Sequence, residues 1–134
     1  MESSGHVYLV GMLERWVQIY RPDSLEYMLL DRSADDSQSR PMKIGGHTPD
    51  MYLKDSRLGD TILGEAKTTG DLSTPRSYEQ LQDFISYLNY CNGLMLLSVE
   101  LPARRAARAL IDQIIRKNKF TKLTYNVITP LDLM

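Results

Sequence analysis

Three residues near the middle of the chain have types and spacing suited to chemistry: Asp50, Glu65 and Lys67. Glu65 and Lys67 stand two apart in Gly64-Glu65-Ala66-Lys67, so on a strand their side chains share one face and small Ala66 points to the other. Asp50 ends the run Gly45-Gly46-His47-Thr48-Pro49-Asp50, and a hairpin between the two segments brings it beside Glu65. Two carboxylates held together repel. A hard divalent cation removes that cost, because it prefers oxygen ligands. The backbone carbonyl of Ala66 offers one more oxygen. Lys67 then stands where it can orient a water molecule or neutralise charge building on a phosphate. The same residue types also make an ordinary surface hairpin in which Glu65 simply pairs with Lys67. The neighbours favour the chemical reading: Ile62-Leu63, Gly64 and Ala66 put the pair at the end of a buried strand, where a charged side chain usually has a partner or a function.

The elements that must position these residues follow from periodicity and punctuation. Ser3 or Ser4 caps a helix running to about Tyr20, and Pro22-Asp23 breaks it. Leu25 to Leu30 reads as a strand, and polar Asp31 to Pro41 as a loop. Met51-Tyr52-Leu53 and Thr61 to Lys67 read as a hairpin around a turn at Lys54 to Gly59. Thr68 to Pro75 reads as a loop. Pro75 opens a helix whose Tyr78, Leu81, Phe84, Ile85 and Leu88 recur at helical spacing up to about Tyr90, where Asn92-Gly93 stops it. Leu94 to Val99 is a buried strand. Pro102 opens a third helix with Arg104, Arg105, Arg108 and Arg116 outside its apolar stripe, and Leu123 to Thr129 is the last strand. The order is α-β-β-β-α-β-α-β. Antiparallel pairing is expected among the first three strands, and parallel pairing through a right-handed crossover at the end. The expected class is α/β, a central mixed sheet flanked by helices in one domain over residues 1–134.

Length and composition set the bounds. The chain has 134 residues, 43% hydrophobic and 25% charged, which suits one globular core and argues against disorder, collagen or a coiled coil. A lone cysteine, Cys91, excludes an internal disulfide and a cysteine-rich zinc site, and two histidines make a structural zinc knuckle improbable. No apolar run is long enough to span a membrane. The segment Met1-Glu2-Ser3-Ser4-Gly5 lacks the basic start of a secretion signal, so a reducing, cytoplasmic setting is expected. The net charge of −1 hides an asymmetry: residues 1–100 carry −6 and residues 101–134 carry +5. That division suits an anion-attracting face as well as a merely solvated basic helix.

Pro49-Asp50 followed by Glu65-Ala66-Lys67 resembles the signature of the PD-(D/E)XK nuclease superfamily, the restriction-endonuclease-like fold, whose element order is also the one read above. Tyr78-Glu79-Gln80-Leu81-Gln82-Asp83-Phe84 is similar to the glutamine motif of RecB-like exonuclease domains, with Gln80 at the glutamine and Phe84 where that group usually has tyrosine. The resemblance implies cleavage of phosphodiester bonds dependent on Mg²⁺ or Mn²⁺, with nucleic acid, DNA above all, as partner. Asp50, Glu65 and the Ala66 carbonyl would hold the metal. Lys67 would position or activate the attacking water, and Gln80 would orient that water or the lysine. Members of the superfamily often place a Glu on the first helix. Glu14 lies away from the apolar face of that helix, so His6 best matches the place, as an accessory group. His47 is read as a loop residue that could contact substrate. Arg104, Arg105 and Arg108 are candidates for the nucleic-acid backbone. A domain of this size has little surface for reading sequence, so weakly specific cutting, a homodimer or a targeting partner is expected. Two rivals are a binding module of the same fold with little activity and a protein-interaction accessory subunit.

Overall fold

The structure is a computed structural model that describes residues 3–31, 40–55 and 58–133. The first helix, α1 (Ser4–Tyr20), starts where the Ser3 side chain accepts the amide of His6, so one otherwise orphaned N–H is satisfied. Its buried residues, Leu9, Met12, Leu13, Trp16 and Val17, recur at the helical period. Beyond Arg21 the expected strand Leu25 to Leu30 largely gives way to a 3₁₀ helix over Pro22–Tyr27, and only Leu29–Leu30 forms strand β1. The reason lies in Pro22, which fixes φ for a helical turn. Leu25 and Met28, three apart, then reach the core under α1.

Strands β2 (Met51–Lys54) and β3 (Thr61–Lys67) form the expected hairpin, antiparallel with Met51 opposite Gly64. A short helix, α2 (Thr69–Leu72), occupies part of the stretch read as a loop, capped by the Thr68 side chain. Helix α3 (Pro75–Cys91) begins at Pro75 behind a Thr74 cap and ends at Asn92, which takes the left-handed conformation at φ 56°. Strand β4 (Leu94–Val99) follows. A 3₁₀ turn at Leu101–Ala103 leads into α4 (Arg104–Asn118), and β5 (Thr124–Ile128) completes the sheet before a last 3₁₀ turn at Pro130–Leu133.

The sheet has five strands in the order β1-β2-β3-β4-β5. Its first two pairings are antiparallel and its last two parallel. This is the mixed sheet that the two hairpin-like connections and the two helical crossovers require. All seven residues of central β3 are buried. Ile62 and Ala66 face one core with α1, and Leu63 faces a second core with Leu81, Phe84 and Leu88 of α3 and Ile111 of α4. A Cβ on Gly64 would lie 3.1 Å from Leu13, so the missing side chain lets α1 lie close on β3. The buried Ser98 hydroxyl donates to the Leu9 carbonyl at 2.7 Å and ties the same helix to β4. No helix among the described residues is long and apolar enough to cross a membrane.

Candidate active site

The sheet loses one strand at the carboxyl end of β3. The β2 pairing ends at Met51 opposite Gly64, whereas β4 pairs on through Lys67 opposite Val99. The corner left open is filled by Asp50, the residue just before β2. The Asp50 amide donates to Oε1 of Glu65 at 3.1 Å, and the Ala66 amide donates to Oδ2 of Asp50 at 2.8 Å. Backbone donors thus hold both carboxylates in the corner. A strand residue presents its N–H and C=O to the same neighbour, so the Ala66 carbonyl faces this corner as well.

Glu65 and Lys67 project toward α3, as their spacing requires. The Lys67 ammonium lies 3.4 Å from Oε2 of Glu65 and donates to Oε1 of Gln80, from the second turn of α3. Asp50, Glu65 and Lys67 are 7%, 4% and 8% exposed. Burying such charges costs several kcal/mol per ion unless they are paired, and here two negative charges meet one positive charge. Burial, with the adjacent Asp50 charge adding to it, pushes the Glu65 carboxyl well above the ordinary carboxylate range, against the opposing pull of Lys67.

Four surrounding elements fix the rim. His6, in the first turns of α1, brings Nε2 to 3.5 Å from Oδ1 of Asp50. Glu14 is half-buried rather than solvated and does not line the cavity. The turn Ile44–His47 closes with mutual backbone bonds and has positive φ at Gly45 and Gly46, as a type I′ turn requires. It sets His47 with Nε2 3.3 Å from Oδ2 of Asp83 and its ring edge-on to buried Phe84. Glu100, after β4, accepts both the amide and the hydroxyl of Thr69, and these bonds hold its carboxyl below the usual range. They pin the start of α2 directly behind Lys67.

The resulting cavity measures about 460 Å³ and is walled by His6, His47, Asp50, Glu65, Lys67 and Gln80, all singled out in the sequence. Asp31, Asp71 and Arg76 line it too and were missed. Arg76 stands one turn before Gln80, so a helical reading of the glutamine stretch would have found it. Arg104, Arg105 and Arg108 do not line this cavity. Arg104 lies 3.5 Å from Asp132, and with Arg108 it borders a separate cleft beside Trp16 and Asn126; Arg105 is exposed on α4. As for a metal, the described residues contain no group of three or more His, Cys, Asp or Glu side chains placed to hold one. Two carboxylates and one peptide carbonyl do share the corner.

The fold and this site together define an α/β protein with a mixed sheet and a buried carboxylate–lysine cluster at the end of its central strand. No family model, curated protein or solved structure matches the chain.

Proposed function

We propose that this protein is a metal-dependent nuclease of restriction-endonuclease-like fold, hydrolysing phosphodiester bonds of nucleic acid, with DNA as its expected substrate. One observation carries the reading: two buried carboxylates, Asp50 just before β2 and Glu65 in β3, meet at the open end of β3, with a buried lysine 3.4 Å from one of them. The residues fit a hard divalent ion such as Mg²⁺ or Mn²⁺. Asp50 and Glu65 supply carboxylate oxygens, the Ala66 carbonyl faces the same corner, and Glu65 is buried against the Asp50 charge. Asp50, Glu65 and Ala66 would hold the ion, which when bound supplies Lewis-acid stabilisation of phosphoryl charge and a lowered water pKa.

The chain's own groups do the rest. Lys67 orients the attacking water by hydrogen bonding and offsets negative charge on the phosphate. Gln80 holds the lysine in place, so its role is positioning. His6 steadies Asp50 from the α1 side. Attack in line with the scissile bond expels the 3′ oxygen and leaves a 5′-phosphate, as the family resemblance implies.

The test is a panel of single-stranded, duplex, nicked and branched DNA, plus RNA, each with Mg²⁺, Mn²⁺ or EDTA. Cleavage is expected with either metal, and none in EDTA or in Asp50→Ala and Glu65→Ala. Cleavage retained in both variants would put the active site elsewhere. One feature favours a binding module instead: α1 offers His6 where a carboxylate would strengthen the metal set. DNA binding equal in EDTA and in metal, with no cutting, would establish that reading.

A further inference from the structure

The basic side chains around the cavity are nearly all spoken for. Lys67 faces Glu65 and Gln80, His6 faces Asp50, and His47 faces Asp83. Arg76 is different: it lines the same cavity, is exposed, and its guanidinium has no ion-pair or hydrogen-bond partner among the described residues, neither Asp31 nor Asp71 included. Its position is also locally unfavourable. Arg76 lies in the first turn of α3, at the positive end of the helix dipole, where a cation is disfavoured. The helix end itself has little to offer an anion. Pro75 has no N–H, the Ser77 amide is taken by the Thr74 hydroxyl and the Tyr78 amide by the Thr74 carbonyl, which leaves the Arg76 amide beside its own guanidinium. An anion in this part of the cavity therefore meets the guanidinium as its principal donor.

We propose that Arg76 is a substrate-binding residue that holds a phosphate next to the scissile one, so that the cavity grips two successive phosphates of one strand. This rests on the nuclease reading of the site. Gln80 and Arg76 are four residues apart on one face of α3, and Gln80 fixes Lys67 at the reacting centre. Arg76 is therefore rooted one helical turn from the lysine's anchor, on the same wall. Its planar fork suits two oxygens of a phosphate, and anion binding offsets the cost of a cation at a helix start. A neighbouring phosphate is bound equally in ground and transition states, so Arg76 should affect KM and leave kcat nearly unchanged.

The experiment measures binding of a single-stranded oligonucleotide against salt, in Ca²⁺, for the wild type, Arg76→Ala and Arg76→Lys, together with Mg²⁺-dependent cleavage kinetics. Arg76→Ala should weaken binding roughly tenfold and lower the slope of log affinity against log salt by about 0.7, the value for one phosphate contact on a single strand. KM should rise by a similar factor with kcat held, and Arg76→Lys should restore the slope but only part of the affinity. An unchanged slope and KM in Arg76→Ala, with a wild type that cleaves in an Asp50-dependent way, overturns this inference and leaves the nuclease reading standing. A wild type that cleaves nothing but shows the Arg76-dependent slope overturns the nuclease reading and leaves the phosphate contact standing. Circular dichroism on the variants confirms that each is folded, as expected for an exposed side chain.

Discussion

The amide of Ala66 donates to the carboxylate of Asp50 at 2.8 Å, across the point where the β2–β3 pairing has already ended. In effect the aspartate side chain replaces the next residue of a strand. This one bond explains why a charge can be placed at the edge of a core. The backbone donor that the missing strand would have satisfied is used to hold a carboxylate, and the neighbouring Glu65 accepts the Asp50 amide in return. The two acids are therefore fixed by main chain, and their mutual repulsion is built into the folded state.

That repulsion makes stability depend on pH and on metal. Glu65 is held above its ordinary pKa by burial first and by Asp50 second. A carboxyl with a raised folded-state pKa favours folding while it is protonated. The contribution is complete below the unfolded value and is lost as pH rises through the raised folded value. The Tm of the metal-free protein should therefore fall as pH climbs from the ordinary carboxylate range through the raised pKa of Glu65. Glu65→Gln should flatten that fall and melt higher at neutral pH. Mg²⁺ should raise the Tm of the wild type and leave Glu65→Gln nearly unmoved. A wild-type melting curve indifferent to both pH and Mg²⁺ would remove the strain argument.

Lys67 and Gln80 should separate in kinetics. Removing the ammonium in Lys67→Met takes away the cation beside Glu65 and leaves the two buried carboxylates to repel, so at neutral pH the metal-free variant should be less stable than the wild type, and a divalent cation should recover most of the loss. Its cleavage rate should fall by about 10²–10³-fold even with saturating metal, the usual cost of losing one preorganised charge at the reacting group. Gln80 acts through the lysine, so Gln80→Ala should lose roughly 10–100-fold, with KM held and the pH profile of kcat displaced. Equal losses in the two variants, with no change of pH profile in Gln80→Ala, would put Gln80 on the substrate instead.

Much of this arrangement is written in short patterns. Strands β2 and β3, the start of α3 at Pro75 and its stop at Asn92-Gly93 are local signals, and the alternation that turns Glu65 and Lys67 to one face is a property of any strand. What cannot be read locally is which elements converge. Leu25 to Leu30 has the apolar content of a strand, yet Pro22 and the demand to pack Leu25 and Met28 under α1 turn most of it into a 3₁₀ helix. The basic face of α4 suggested a nucleic-acid surface at Arg104, Arg105 and Arg108. None of the three reaches the cavity, because α4 is the second crossover helix and packs between α3 and β5. The cavity's own arginine, Arg76, is a lone charge with no run of basic neighbours, and so gives no compositional signal.

A control for folding lies at the opposite end of β3. Arg21 donates to Asp55 at 2.6 Å and to Asp60 at 3.1 Å, and its own pKa is raised chiefly by the Asp60 bond. Asp55 is 4% exposed, so the pair is largely desolvated on one side. The cluster joins the end of α1 to the start of β3, about 20 Å from Lys67 by strand length. Arg21→Ala should lower unfolding free energy by about 2 kcal/mol, because the buried Asp55 carboxylate loses its guanidinium and keeps only weaker partners such as the Leu58 amide. Cleavage per folded molecule, measured well below the new Tm, should match the wild type. A fall in kcat without a change in Tm would contradict the separation of these two ends.

The glycine turn beside the site makes the sharpest comparison of neighbours. Gly45 and Gly46 both have positive φ, 62° and 85°, so alanine at either carries a backbone penalty of about 1–2 kcal/mol. Their surroundings differ. A Cβ on Gly45 would lie 2.5 Å from the Asp83 carboxylate, whereas one on Gly46 meets nothing within 4 Å. Relief of the first clash must move Asp83 or the turn, and either movement breaks the 3.3 Å contact that orients His47. Gly46→Ala, at a residue that itself lines the cavity, should lose stability while leaving the His47–Asp83 contact in place. Gly45→Ala should lose more stability and also raise KM for nucleic acid, because His47 forms part of the cavity wall. Asp83→Ala in the Gly45→Ala background opens the space the new methyl needs, so it should recover stability without restoring KM. If the double variant regains wild-type KM, the orientation of His47 is irrelevant to substrate and the turn serves the fold only.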